Sequence, residues 1–165
     1  MTPEGFAEAV LPCGTTTVVA DPHEIANVLG VEGVRYMLHA SQDLPLDLYF
    51  MAPSCVPSTE WETSGASLGP AEIAKLLEEE RVLGLAEVMD YPGVIRGRRE
   101  NLEKIIAARA LGKVVDGHAP GLSGEGLIAY LNAGIGTDHE CTTLEEAREK
   151  LRLGMRIMIR EGSQA

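Results

Sequence analysis

Short apolar runs take turns with amphipathic stretches along the chain. Thr15-Thr16-Thr17-Val18-Val19-Ala20 is short and β-branched, the pattern of a buried strand. Further runs of this kind lie at 46–51, 82–89, 113–118 and 155–160, with a weaker one at 134–139. Between them the spacing predicts helices. One starts at Thr2-Pro3 and runs to Val10, with Thr2 as N-cap and Pro3 in the first helical position. Others cover 30–40, 70–77 and 100–111, the last with Leu102, Ile105 and Ile106 on one face and Gly112 as its stop. The final two cover 123–133 and 143–153. The latter opens on Thr143-Leu144-Glu145-Glu146, a capping box. The irregular stretch 54–69, with the single Trp61, reads as a long connection from strand to helix.

Strand and helix thus alternate six times, at spacings of roughly 20–35 residues, as in right-handed βαβ units with a parallel sheet. Strands of such a sheet are expected to be buried on both faces. A chain of 165 residues is expected to form one domain, at about 100–200 residues per domain.

In parallel α/β folds, chemistry gathers at the C-terminal ends of the strands. Asp21-Pro22-His23-Glu24 follows the first predicted strand and Glu87 lies near the end of the third. Asp116-Gly117-His118 ends the fourth, Asp138-His139-Glu140 the fifth, and Arg160-Glu161 follows the sixth. His39, late in an amphipathic helix, is expected on the surface. Glu87 stands inside an apolar run, where a lone carboxylate is costly and needs a partner or a cation. His118 and His139 are expected to face the same end of the sheet. Imidazole and carboxylate together suit Zn, Mn or Fe(II). Asp116 and Asp138 read equally as supports for those histidines or as helix caps.

Composition narrows the partners. The formal charge of −11 leaves no basic excess to displace counterions from a nucleic acid or to seek an anionic membrane. No apolar run approaches the roughly 20 residues of a membrane span. Met1-Thr2-Pro3-Glu4-Gly5 has no signal-peptide pattern. Cys13, Cys55 and Cys141 are scattered and odd in number, as expected for reduced thiols in a cytoplasmic protein. No histidine pairing marks Cys55 or Cys141 as a nucleophile. Gly121-Leu122-Ser123-Gly124 lacks the Lys-Ser/Thr of a phosphate-binding loop.

Five blocks together carry a resemblance: residues 15–28, Met51-Ala52-Pro53-Ser54-Cys55-Val56-Pro57, Gly84-Leu85-Ala86-Glu87-Val88-Met89, Asp116-Gly117-His118-Ala119-Pro120-Gly121-Leu122 and Thr137-Asp138-His139-Glu140. In order and approximate spacing the chain resembles the bacterial adenine deaminases of the amidohydrolase superfamily over essentially its whole length. The resemblance implies a partial metal-dependent (β/α)8 TIM-type barrel and the hydrolysis of adenine to hypoxanthine and ammonia. It implies a divalent metal, Mn or Fe(II) ahead of Zn. Glu87 matches the carboxylate that bridges two metals, and His118 and His139 match the histidines of the second metal. Asp21, His23, Glu24, Asp116, Asp138, Glu140 and Glu161 fall where substrate-binding or supporting groups are expected.

The six strands then correspond to barrel strands two to seven. The family's His-x-His pair on the first strand, the acid/base aspartate on the eighth and the small β domain are not in this sequence. The expectation is therefore an internal piece, a single partial barrel domain over 1–165, inactive or nearly so alone. Its open edges would expose Val18, Val19, Ile157 and Ile159 and favour homo-oligomers. Two alternatives stay open. One is another amidohydrolase, dihydroorotase-like or imidazolonepropionase-like, acting on a cyclic amide or amidine. The other is a non-catalytic metal-binding or oligomerising remnant.

Overall fold

The computed structural model describes residues 1–160 and is an α/β half-barrel with parallel strands. Its elements run α1 (Pro3–Val10), β1 (Thr17–Ala20), α2 (His23–Leu29), α3 (Val31–Ala40), β2 (Asp47–Ala52), α4 (Pro70–Leu77) and β3 (Val82–Val88). Then follow α5 (Tyr91–Ile95), α6 (Arg99–Ala110), β4 (Val114–Gly117), α7 (Gly124–Asn132), β5 (Thr137–Asp138), α8 (Leu144–Arg152) and β6 (Arg156–Ile157). All six expected strands form, but not as one ladder. β1-β2-β3-β4 make a four-stranded parallel sheet, and β5-β6 make a separate two-stranded one.

The caps explain where the helices begin. Thr2 Oγ1 accepts from Gly5 N at 3.3 Å and starts α1. Thr143 Oγ1 accepts from Glu146 N at 3.2 Å and starts α8. The reciprocal half of that capping box does not form, because the Glu146 carboxylate is used elsewhere: it accepts from Gly121 N at 2.8 Å and from Thr142 N at 3.2 Å. Two short helices were not foreseen. α2 follows β1 directly, and α5 is capped by Asp90, whose carboxylate accepts from Gly93 N at 2.9 Å.

The core lies between the strands and the helices. Leu48, Phe50, Val82, Leu85 and Val115 on the strands meet Val34, Ile73, Leu76, Ile105 and Leu127 on the helices. Burial of each large apolar side chain contributes about 1.5–3 kcal/mol. The expected two-sided burial holds in the central strands, where Phe50-Met51-Ala52 of β2 and Gly84-Leu85-Ala86 of β3 are buried, and fails in the outer strands β1 and β4. Successive side chains point to opposite faces, and Val19 and Val114, neighbours of the packed Val18 and Val115, are 52% and 56% exposed. At the predicted edges Val19 and Ile159 are exposed, whereas Val18 and Ile157 pack on the core. The α6 face is also shifted: Ile105 is buried, Ile106 is exposed and Lys104 is buried in its place. Lys104 reaches inward to donate to Ser54 O at 3.0 Å.

Two departures from regular pairing aim the strand ends. Leu85 pairs with Val115 and Val88 with Gly117, so Ala86 and Glu87 stand opposite the single residue Asp116. This bulge re-aims the Glu87 side chain. The Glu87 carbonyl is held by Ser54 Oγ at 2.6 Å. Between β4 and β5 the ladder gives way to close contact. Gly117 N donates to Thr137 Oγ1 at 3.1 Å, and Gly136 N to Val115 O at 3.4 Å. A Cβ on residue 117 would stand 2.1 Å from Thr137 O and 2.8 Å from Ile135 Cγ2.

Gly117→Ala therefore forces backbone apart rather than moving a flexible side chain. It is expected to destabilise the chain by about 1–3 kcal/mol, as overpacking does. Urea unfolding followed by circular dichroism measures the loss, and an unchanged midpoint would contradict the close approach.

Candidate metal centre

Three donor side chains meet at the C-terminal ends of β3, β4 and β5. His118 Nδ1 lies 2.7 Å from Glu87 Oε2, and His139 Nε2 lies 3.0 Å from the same oxygen. The two imidazole rings stand edge to face, 5.5 Å apart at their centres. Donor atoms bound 2.0–2.2 Å from one ion stand roughly 3–3.5 Å apart, so the three need only a small opening to enclose a divalent cation.

The second carboxylate oxygen of Glu87 faces the loop after β1. His23 Nε2 lies 3.9 Å from Glu87 Oε1, and Asp21, His23 and Glu87 form a second group of donors within 4.8 Å of one another. Among the described residues, His23 Nε2 is buried without a hydrogen-bond partner. Such an atom costs about 1–3 kcal/mol. The donor set and this orphaned nitrogen both fit a divalent cation at Glu87.

The remaining candidates fall into three kinds of place. Asp116 and Glu140 border the triad. Asp116 Oδ2 is 3.8 Å from His139 Nδ1, and Asp116 also accepts from Thr137 Oγ1. Glu140 Oε1 is 3.5 Å from His139 Nε2 and 2.5 Å from an Arg160 nitrogen. Asp138 is wholly buried and pairs with Lys150 at 2.5 Å, so it is neither a helix cap nor a free ligand. Glu24 is exposed on the first turn of α2 and is not brought into the cluster. Glu161 lies outside the described residues. His39 is exposed on α3, as expected. Cys13, Cys55 and Cys141 are free thiols.

Several supports escaped the sequence reading. Tyr130 on α7 is fully buried. Its hydroxyl donates to Val88 O at 2.7 Å and accepts from His118 N at 3.0 Å, tying the His118 backbone to β3. Ser54 holds the bulge carbonyl, Lys104 holds the Ser54 carbonyl, and Lys150 holds Asp138. An aromatic, a serine and two lysines inside ordinary helix and loop patterns carry no sign of such roles.

The charges are strongly interdependent. Burial alone would raise the Glu87 carboxyl, but the hydrogen bonds from His118 and His139, with the imidazole charges, hold it well below the usual carboxylate range. His139 is raised above its ordinary value, chiefly by its hydrogen bond to Glu87. Burial, aided by the nearby Asp116 and Glu87 carboxylates, pushes Asp21 up to about 6 against the pull of His23.

The amidohydrolase family profile matches residues 1–162, and the chain belongs to that family. It is 60% identical over 165 residues to the adenine deaminase of Archaeoglobus fulgidus, covering 100% of this chain and 29% of that protein. It is 55% identical over 161 residues to adenine deaminase 2 of Carboxydothermus hydrogenoformans, covering 98% of this chain and 28% of that protein. The adenine deaminase of Syntrophobacter fumaroxidans is 56% identical over 165 residues, which are 28% of its length. The chain thus spans well under a third of these curated relatives. Among the described residues no helix is long and apolar enough to cross a membrane.

The pairing predicts a pH signature in the metal-free chain. Glu87 is depressed below 4.5, so its contribution is full above pH 4.5 and is lost as pH falls through the lower folded value. His139 is raised above 6.5, so its contribution is full below pH 6.5 and is lost as pH rises through the higher folded value. In EDTA, the melting-temperature gap between the natural chain and Glu87→Gln is expected to be widest between pH 5 and 6.5 and to shrink by pH 8. A gap that widens toward pH 8 would contradict the pairing.

Proposed function

We propose that the chain forms the central part of an adenine deaminase site: a metal-dependent hydrolase that converts adenine and water to hypoxanthine and ammonia. The observation that carries this reading is the convergence of Glu87, His118 and His139 at three successive strand ends. Relatives at 55–60% identity that carry the adenine deaminase name support the substrate. In this reading the six strands are barrel strands two to seven. The domain assignment and the association of chains through the exposed Val19 and Ile159 belong to the same proposal.

Glu87, His118 and His139 would hold the cation, with Asp21 and His23 on the outer oxygen of Glu87. Mn or Fe(II) is favoured over Zn by the family resemblance. When bound, a divalent ion supplies Lewis-acid chemistry that makes water a nucleophile near neutral pH. The chain's own residues do the positioning. Glu87 presents one oxygen to the two histidines and the other to His23. Asp116 faces His139 Nδ1 from 3.8 Å, on the side from which a partner on the second nitrogen fixes a metal-bound imidazole. Glu140, neutralised by Arg160, closes the triad on the side of β6. Among the described residues, Asp21, His23 and Glu140 are placed to contact the purine.

Two experiments test this. Calorimetric titration with Mn(II) is expected to show binding that Glu87→Gln weakens by more than about 100-fold, a larger loss than the 10–100-fold typical of an outer-sphere partner. Replacing the matching segment of the Archaeoglobus fulgidus enzyme with this chain is expected to keep adenine deamination, read as hypoxanthine formed. The same chimera with His118→Asn is expected to lose it. A folded chimera that binds metal but leaves adenine unchanged would contradict the substrate assignment.

A further inference from the structure

Lys150 lies on α8, outside the donor cluster, and its side chain is fully buried. Its ammonium reaches Asp138 Oδ2 at 2.5 Å, Glu146 Oε1 at 2.6 Å and Ala119 O at 2.7 Å. Three N–H donors thus meet three acceptors. The other oxygen of Asp138 accepts from Ala119 N at 3.1 Å and from Glu140 N at 3.3 Å. Ala119 follows His118 and Glu140 follows His139. The pair therefore grips both backbone groups of the residue after one histidine and the N–H of the residue after the other.

A buried ion pair is poor evidence for stability, because apolar residues of similar volume often stabilise as well or better. An apolar pair has no directional bonds with which to set two peptides at a fixed separation. Asp138, Cys141 and Glu146 also have the mutual distances of a metal-binding group. The Lys150 ammonium fills that group from within, and a carboxylate pair already bridged by an internal cation is a poor second home for a divalent ion.

We infer that Lys150 is a positioning residue: through Asp138 it sets the separation of the His118 and His139 loops, and it keeps the neighbouring Asp138–Cys141–Glu146 group closed to metal. The inference rests on the reading of Glu87, His118 and His139 as the metal centre.

The test is a cobalt(II) titration of the 165-residue chain, followed by visible absorption, beside thermal melting. Four proteins are compared: the natural chain, Lys150→Met, the double variant Asp138→Asn with Lys150→Met, and Leu76→Ala. Leu76 is a fully buried residue of α4 and serves as a stability control. Lys150→Met leaves the buried Asp138 and Glu146 carboxylates without their cation and is expected to melt lower. The double variant removes the fully buried charge of Asp138, leaves Glu146 held by the Gly121 and Thr142 N–H groups, and is expected to regain part of the melting temperature. At the Glu87 centre both are expected to bind cobalt about 10–100-fold more weakly than the natural chain, the usual cost of losing an outer-sphere support. Their ligand-field bands are expected to shift. Lys150→Met is also expected to take up a second cobalt at the opened Asp138–Cys141–Glu146 group, and one cobalt per chain overturns the closure. Leu76→Ala is expected to melt lower with unchanged cobalt affinity.

If Lys150→Met does not fold, the double variant carries the comparison. Affinity that simply tracks melting temperature across the four proteins overturns the positioning role. Absence of cobalt binding by the natural chain overturns the metal centre and the positioning role together.

Discussion

The arrangement depends on one constraint: a carboxylate set into an apolar strand must find positive charge or hydrogen-bond donors. Glu87 meets it by standing in a bulge, where two residues of β3 face one of β4. The bulge turns the side chain out of the regular alternation and toward the loops that follow β4 and β5. A regular strand would place Glu87 in strict alternation with Val88 and could not also keep the packing of Leu85 and Val88. The carboxylate then organises its surroundings. Two imidazoles lie within hydrogen-bond distance of one oxygen, and a third lies 3.9 Å from the other.

That geometry is maintained from behind. Ser54, pinned by buried Lys104, takes the bulge carbonyl, and Tyr130 links the His118 backbone to Val88. Gly117 lets β4 and β5 approach more closely than any side chain would allow. The loops carrying the histidines are thus fixed to strands, helices and each other before any ligand arrives. This is how a site gains affinity from preorganisation rather than from extra contacts.

Much of this order was legible in the residue pattern, for a physical reason. The strands of a parallel sheet are short apolar runs stopped by turn residues, and the histidines and acids cluster where those runs end. Glu87 stood out because a charge inside such a run has few innocent explanations. What was hidden depends on partners distant in sequence. The bulge exists only in the register of β3 against β4. The exposure of Val19 and Val114 depends on what covers the second face of the sheet. Lys150 sits in a helix rich in charge, where a lysine reads as a solvated residue; its burial follows from the position of Asp138, twelve residues earlier. Glu146 looked like the second half of a capping box and instead braces Gly121 and Lys150.

The central claim is that Glu87, His118 and His139 bind one divalent ion together. X-ray absorption at the zinc edge, on the chain loaded with one equivalent of Zn(II), tests it most directly. The account predicts a first shell of nitrogen and oxygen at about 2.0–2.2 Å with the multiple scattering of two imidazoles, diminished in His118→Asn. An all-oxygen shell without imidazole scattering would contradict it.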